Sequence, residues 1–340
     1  VNIVSMTISN NREKTIGRAI KSVVPHVDKV LLIDTGITDG TIESASEAAG
    51  NKLVVVASPW PGRFDEARNV MLDEAAKIGQ WGIMLDSDEW ITATGTRPFL
   101  AAAKAEVILA YDDSGTYTRE RIFALPSPAK FHGRTHEAVI GGSRTTFSGM
   151  RFYADGKTPE EMVEKRERDL ALLLEQIKDE PMDARWRYYA GDSYAGLSKH
   201  AEAAAMFLAC ASLNGWDEES AWACFRAAQS LAEIGAWLPA QDAAARGLAR
   251  RADFPDLAWM AGWCAHKMGN HHQAVRWSRM AIMLRKQPAE PRIGFRFEPA
   301  MFEAPYNVLR YSLAAIGDKR GAEEAERMYK KLLAKRTGGN

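Results

Sequence analysis

Little in this chain marks a secreted, membrane-bound or nucleic-acid-bound protein. Its 340 residues include only three cysteines, Cys210, Cys224 and Cys264. They show neither a disulfide framework nor metal-ligand spacing, the pattern of buried thiols in a reducing cytoplasm. Net charge is absent too: 44 basic side chains balance 44 acidic ones, which argues against a general nucleic-acid or anionic-membrane surface. No apolar run approaches the roughly 18 residues of a membrane span, and no signal peptide is expected ahead of the first strand. The expectation is a cytoplasmic protein. Several motifs are also missing. No G-x-G-x-x-G follows the first strand, so a dinucleotide cofactor is excluded, and no G-x-x-x-x-G-K-[ST] announces a P-loop. There is no G-x-S-x-G hydrolase elbow. A phosphatase using Asp86 as nucleophile would want a threonine two residues after Asp88, where Trp90 stands.

What is present is an alternation of strand and helix in the N-terminal half. Asn2–Ile8 is an apolar run that ends in Ser9-Asn10-Asn11. Arg12–Val24 carries Ile16, Ala19, Ile20, Val23 and Val24 at helical spacing, and Pro25 stops it. Strands are predicted at Lys29–Ile33 and Leu53–Ala57, helices at Thr41–Ala49 and Phe64–Ile78, and a further strand at Tyr117–Phe123. Strands separated by helices imply a parallel sheet with right-handed crossovers. The stretch Trp81-Gly82-Ile83-Met84-Leu85-Asp86-Ser87-Asp88-Glu89 is a short apolar run ending in three acids. On a strand, Asp86 and Asp88 would point the same way. Ligands of an open α/β sheet sit outside the carboxyl ends of its strands. Two carboxylates there can hold a divalent cation, and that cation can hold a diphosphate.

Four segments in order carry a resemblance. They are Thr7-Ile8-Ser9-Asn10-Asn11-Arg12-Glu13, then Asp34-Thr35-Gly36-Ile37-Thr38-Asp39-Gly40-Thr41, then Trp60-Pro61-Gly62 with Ala67-Arg68-Asn69, then Asp86-Ser87-Asp88-Glu89. Together they resemble the inverting glycosyltransferases of family 2, which have the GT-A fold. The third segment resembles a subset that includes lipopolysaccharide-core transferases and peptide S-glycosyltransferases. The likeness covers roughly Val1–Met150, with one departure: Ile37 stands where the second loop usually has serine. A domain over 1–155 is expected from it.

The resemblance implies site residues. Thr7, Ser9 and Glu13 in the first turn, Asp34, Arg68 and Asp86 belong with the nucleotide-sugar donor. Asp88 is the direct ligand of Mn²⁺ or Mg²⁺, and Asp86 binds that metal through water or touches the ribose. Asp34, at the end of the second strand, is placed to accept from a base N–H. Arg68 offers its fork of donors to a base carbonyl or a phosphate. Asp39 is expected to cap a helix or close an Asx-turn. Negative charge builds on the departing diphosphate, so a cation on its oxygens helps it leave. Downstream, Phe131-His132-Gly133-Arg134-Thr135-His136-Glu137 resembles the family's G-x-x-H-E element. Two roles compete there. His136 would complete the metal site, since imidazole suits Mn²⁺ beside carboxylates. Glu137 would be the general base that deprotonates the acceptor on the face opposite the diphosphate.

From about Pro159 the chain turns rich in Ala, Trp, Glu and Arg, and a second domain is expected over 159–338. Gly141-Gly142-Ser143 and the stretch from Gly149 to Gly156 read as its loop-rich approach. A small residue followed five positions on by alanine recurs as Ser198…Ala203, Gly235…Ala240, Gly269…Ala274 and Gly317…Ala322. Each is flanked by helical stretches: Trp186–Leu197 and Ala201–Leu213, Ala221–Ile234 and Pro239–Arg250, Leu257–Met268 and His271–Leu284, Tyr306–Ile316 and Ala322–Leu333. This is a helix-turn-helix similar to the tetratricopeptide repeat. The small residue is expected to let helices approach closely. Trp222 and Trp259 sit at helical spacing and read as core. A proline-rich insertion at Gln287–Pro299, carrying Arg292, Phe295, Arg296 and Phe297, is expected to fold toward the acceptor site.

The sequence reading is a metal-dependent inverting glycosyltransferase: an α/β GT-A domain followed by an all-α tetratricopeptide-like domain. The donor is taken as a UDP-sugar on family frequency. The acceptor is taken as a protein or peptide side chain, because stacked repeats present a peptide-sized surface. Alternatives are a small or lipid-linked glycan acceptor with the repeats as scaffold or homodimer interface, and a repeat-based binding protein with a degenerate transferase domain.

Overall fold

A computed structural model describes residues 1–213, 215–285 and 296–338. The chain divides into two compact units, Val1–Pro159 and Glu160–Asn340.

The first unit opens as β1 (Ile3–Ser9), α1 (Glu13–Val23), β2 (Lys29–Asp34), α2 (Thr41–Ala49), β3 (Leu53–Ala57), α3 (Phe64–Ala75) and β4 (Trp81–Met84). Strands β3, β2, β1 and β4 lie side by side and parallel. Alternate residues of β1 and β2 feed two cores, which is why both read as unbroken apolar runs. Val4, Met6, Leu31 and Ile33 pack against Met71 and Leu72 of α3. Ile3, Val30 and Leu32 pack against Ile16 and Ile20 of α1 and Ala45 of α2. Helix α3 is shorter than expected, because the chain turns through Ala76–Gly79 on bonds from Ile78 and Gly79 back to Ala75.

The remaining elements are β5 (Glu89–Ala93), α4 (Thr96–Ala102), β6 (Val107–Tyr111), β7 (Thr118–Ala124), β8 (Lys130–His132), β9 (Ala138–Ile140) and β10 (Arg144–Ala154). They correct the expectation of a purely parallel sheet. The order is β3-β2-β1-β4-β7-β6-β10-β5, with β7 antiparallel to β4 and β6, and β5 antiparallel to β10. After β4 only α4 interrupts the strands, and three of the four pairings there are antiparallel, while β10 runs parallel to β6. Strand β10 also replaces the loop expected over Gly149–Gly156. Gly149 is tolerated in it because a Cβ would meet the Phe147 ring and the Thr94 carbonyl, each at 2.5 Å, beside an irregularity in the β6 pairing.

The second unit is helical: α5 (Pro159–Asp179, beginning at the boundary residue), α6 (Ala184–Gly196), α7 (His200–Ser212), α8 (Asp217–Glu233), α9 (Trp237–Arg250), α10 (Pro255–Lys267), α11 (His271–Leu284), the short α12 (Glu298–Met301), α13 (Ala304–Ala315) and α14 (Lys319–Arg336). All eight expected repeat helices are present, most beginning a few residues early. Helix α5 was not foreseen; its Leu170 and Leu173 pack on Trp186 and Ala190 of α6. Trp222 and Trp259 are core, as expected. Burial pushes the thiols of Cys210 and Cys264 up to about 12 and that of Cys224 to about 11, so all three are protonated at neutral pH.

The recurring small residue has a different cause from the expected close approach. Nothing lies within 4 Å of a Cβ built on Gly269 or Gly317. Instead Ser198, Gly235, Gly269 and Gly317 all have positive φ, at 58°, 73°, 76° and 84°. Each closes a helix by the same pair of bonds. Gly235 N–H donates to the Ala232 carbonyl and Ala236 N–H to that of Leu231, and the other three turns repeat this. This is the Schellman motif, which needs a left-handed residue and favours glycine there. The alanine five positions on begins the next helix's core contact: Ala203, Ala240 and Ala274 are fully buried. Ser198 is the one non-glycine of the four. Ser198→Gly should therefore raise stability by about 0.5–1 kcal/mol, net of the glycine's own entropy. A lower urea midpoint for this variant would mean that the serine side chain, not the backbone, matters.

Candidate active site

The acidic segment after β4 lies in a turn rather than on the strand. Glu89 N–H donates to the Asp86 carbonyl at 3.0 Å, and β5 begins at once. Asp86 and Asp88 therefore do not share a face by strand alternation. They meet different partners. Asp86 lies 3.4 Å from Arg68 Nη2 and 3.9 Å from Arg121 Nη1. Asp88 Oδ2 accepts from Lys157 Nζ at 2.8 Å. Glu89, the third acid, is buried: it accepts from Arg121 at 2.6 Å and from the Asp86 N–H at 3.2 Å.

Burial pushes the Asp86 carboxyl upward, but Arg68, Arg121, Arg119 and Lys157 outweigh it and hold Asp86 below the ordinary carboxylate range. Burial and the charge of Asp86 raise Glu89, against the pull of Arg121. The two carboxyls are thus pushed apart, Asp86 downward and Glu89, behind it, upward.

Helix α3 organises the rest. Asp65, Arg68 and Asn69 are three and four apart, so they share one helix face. Asn69 brackets the backbone of Phe131 in β8, donating to its carbonyl and accepting from its N–H, both at 2.9 Å. Asp65 accepts from Gly133 N–H at 2.8 Å and from both Nε and Nη2 of Arg63. Phe64 N–H donates to the Arg134 carbonyl. These bonds fix the β8–β9 hairpin, whose loop carries Thr135, His136 and Glu137. Arg68 Nε then lies 2.7 Å from Glu137 Oε1, with both side chains mostly buried. One guanidinium thus joins the Asp-x-Asp turn to the hairpin acid.

The second loop is built on Asp34 and Asp39. Asp39 accepts from Thr41 N–H at the start of α2 and from Glu13 N–H at the start of α1, the expected capping role. Asp34 has a turn role as well, which was not expected: its Oδ1 accepts from Gly36 and Ile37 N–H at 2.8 and 2.7 Å. The loop needs only the backbone of residue 37, so isoleucine is accommodated there and packs against the core under α1. Asn11 ties the two loops together through Thr38. In the first turn Thr7 is buried, and the Ser9 hydroxyl donates to the Asn10 carbonyl at 2.9 Å. Neither hydroxyl is turned to an open surface, whereas Glu13 is exposed.

His136 sits in the hairpin loop with φ at 51°, uncommon for a residue with a side chain. Among the described residues no three His, Cys, Asp or Glu side chains converge as a metal cluster, so Asp86, Asp88 and His136 do not form a three-ligand set here. Asp86 and Asp88 remain 36% and 35% exposed, and two carboxylates fit a cation whose other positions are filled by phosphate oxygens and water. Sequence reasoning missed Arg121, Lys157 and Asp65, and it placed Glu89 and Asn69 in motif segments without giving them a role. Arg121 carried one signal, a cation next to the apolar Ile122-Phe123 in a strand destined for burial.

Residues 6–155, nearly the whole of the first unit, match the glycosyl transferase family 2 model, and helix pairs similar to the tetratricopeptide repeat follow in the second unit. The chain is 22% identical over 210 residues to the SPbeta prophage-derived glycosyltransferase SunS of Bacillus subtilis, an alignment covering 57% of this chain and 49% of that protein. It is 24% identical over 194 residues to an uncharacterized glycosyltransferase of Rickettsia typhi, covering 48% and 63%. Over 82 residues it is 37% identical to a TPR repeat-containing protein of Synechococcus elongatus, covering 24% and 19%. Among solved structures, that of MamA aligns at a TM-score of 0.43 and 15% identity, over 54% of this chain and 99% of that one. The chain spans about half the length of the first curated relative it matches. Among the described residues no helix is long and apolar enough to cross a membrane.

Proposed function

We propose that this protein is a metal-dependent inverting glycosyltransferase that moves a sugar from a nucleotide-sugar, a UDP-sugar by preference, to a side chain of a polypeptide. The observation that carries the reading is the Arg68 bridge. It links the Asp-x-Asp turn, where a diphosphate would leave, to Glu137 on the hairpin, where an acceptor would lose its proton.

Asp86 and Asp88 would hold Mn²⁺ or Mg²⁺, which supplies charge neutralisation for the departing diphosphate. The protein's own groups do the rest. The loop bonds of Asp34 hold its carboxylate at the end of β2, where it can accept from a base N–H. Arg68 keeps Asp86 anionic and fixes the Glu137 carboxylate. Glu137 takes the proton of the acceptor nucleophile as that atom attacks the anomeric carbon on the face opposite the leaving diphosphate, which inverts the configuration. The helix pairs of the second unit offer an extended surface for a polypeptide acceptor. Arg296 and Phe297 serve that unit's own packing: Arg296 pairs with Glu218 at 2.9 Å, and Phe297 stacks on Trp259. They are therefore not assigned to the acceptor site, and residues 287–295 of the expected insertion, Arg292 and Phe295 among them, lie outside the described residues.

The test is donor chemistry with and without the turn acid. Asp88→Ala should leave the unfolding transition within about 0.5 kcal/mol, as for an exposed pair. It should abolish sugar transfer and make UDP affinity insensitive to Mn²⁺. Full transfer by wild-type protein in excess chelator would remove the metal from the reading.

A further inference from the structure

Lys157 takes no part in moving a sugar or a proton, yet its ammonium sits against the carboxylate that should receive a cation. Its Nζ is 2.8 Å from Asp88 Oδ2, and both groups are about a third exposed, at 36% and 35%. The backbone that carries it is held close by a second contact two residues earlier. There Asp155 pairs with Arg18, whose guanidinium lies 4.0 Å over the Trp90 ring, itself stacked on Tyr153. Lys157 is thus a cation on a short tether, and a tethered group competes at an effective concentration far above that of a free ion.

We infer that Lys157 is a built-in counter-ion that a divalent cation must displace from Asp88, so that it sets the cation affinity of the site. The inference rests on the transferase reading. An ammonium and a divalent cation cannot share Asp88 Oδ2 without facing each other's charge at close range. An isolated cation therefore binds against Lys157. A nucleoside diphosphate changes the balance, because its oxygens attract the incoming cation and give the displaced ammonium a new acceptor. Cation and nucleotide binding are coupled in consequence, and premature loading of the site is disfavoured.

The experiment is a Mn²⁺ titration of the full chain, followed by the electron paramagnetic resonance signal of free Mn²⁺, with and without UDP. Lys157→Met should tighten Mn²⁺ binding about five-fold without UDP, the factor corresponding to an exposed ion pair. It should also shrink the further tightening that UDP gives. Lys157→Arg, which keeps the charge, should stay near wild type. Unchanged or weaker Mn²⁺ affinity in Lys157→Met overturns the proposal. Calorimetric titration of UDP separates the two readings. A chain that binds no nucleoside diphosphate sinks the transferase reading, whereas one that binds it with a Mn²⁺ affinity indifferent to residue 157 sinks only this one.

Discussion

Arg68→Met should destabilise the protein by about 3 kcal/mol and remove its affinity for nucleoside diphosphates. The stability figure is the low end for breaking a buried ion pair, since Asp86 keeps some solvent. Burial alone would lower the Arg68 pKa, but Asp86, Glu137 and Glu89 more than compensate and raise it. Methionine fills most of the arginine's volume, so the loss reports charge and not a cavity. Without the guanidinium, Asp86 keeps Arg121 at 3.9 Å and the weaker pull of Arg119 and Lys157, and Glu137 loses its 2.7 Å partner. Arg68→Lys should fall between, because an ammonium cannot serve both carboxylates with a planar fork. Urea unfolding and UDP titration give both readings. A loss below 1 kcal/mol with UDP binding retained would show that Arg121, Arg119 and Lys157 hold the turn without Arg68.

Glu137→Gln should lower turnover by roughly two to four orders of magnitude, the usual contribution of a general base. Glutamine keeps the size and the hydrogen-bonding oxygen beside Arg68, so the fold and donor affinity should change little. The comparison that isolates the role is His136→Ala. Were His136 a metal ligand, that variant would lose Mn²⁺ affinity and donor hydrolysis together. If instead Glu137→Gln turns over at the wild-type rate, the base lies elsewhere, and Asp112, Asp113 and Glu120 are the next acids to replace. Of these, Asp112 accepts from Ser114 within its own turn and Glu120 lies 3.4 Å from Arg144.

The elements whose side chains repeat with a fixed period were legible in the sequence. Strands β1 to β4 and the helices between them follow from apolar runs and helical spacing, and the paired repeat helices from their recurring small residue. In the mixed half of the sheet the strand at Tyr117–Phe123 was legible, but β5, β6 and β10 were not, because their pairing depends on contacts distant in sequence. At the site, Asp86, Asp88, Arg68 and Glu137 could be picked out by type and spacing. Their grouping could not: Arg68 meets Glu137 across 69 positions of chain, and the bonds of Asn69, Asp65 and Phe64 to the hairpin bring the two into reach. The same limit applies to Lys157, which is 69 residues from Asp88 and looks like any surface lysine in the sequence.

In each helix pair of the second unit the first helix ends on hydrogen bonds made within the turn that joins it to the second, at Ser198, Gly235, Gly269 and Gly317. Among the described residues, no backbone bond joins one of these turns to another. Such a unit can gain or lose a pair by duplication or deletion of a single gene segment, without rebuilding the pairs that remain. Its length is thus heritable, open to change in whole steps while the first unit is copied unaltered.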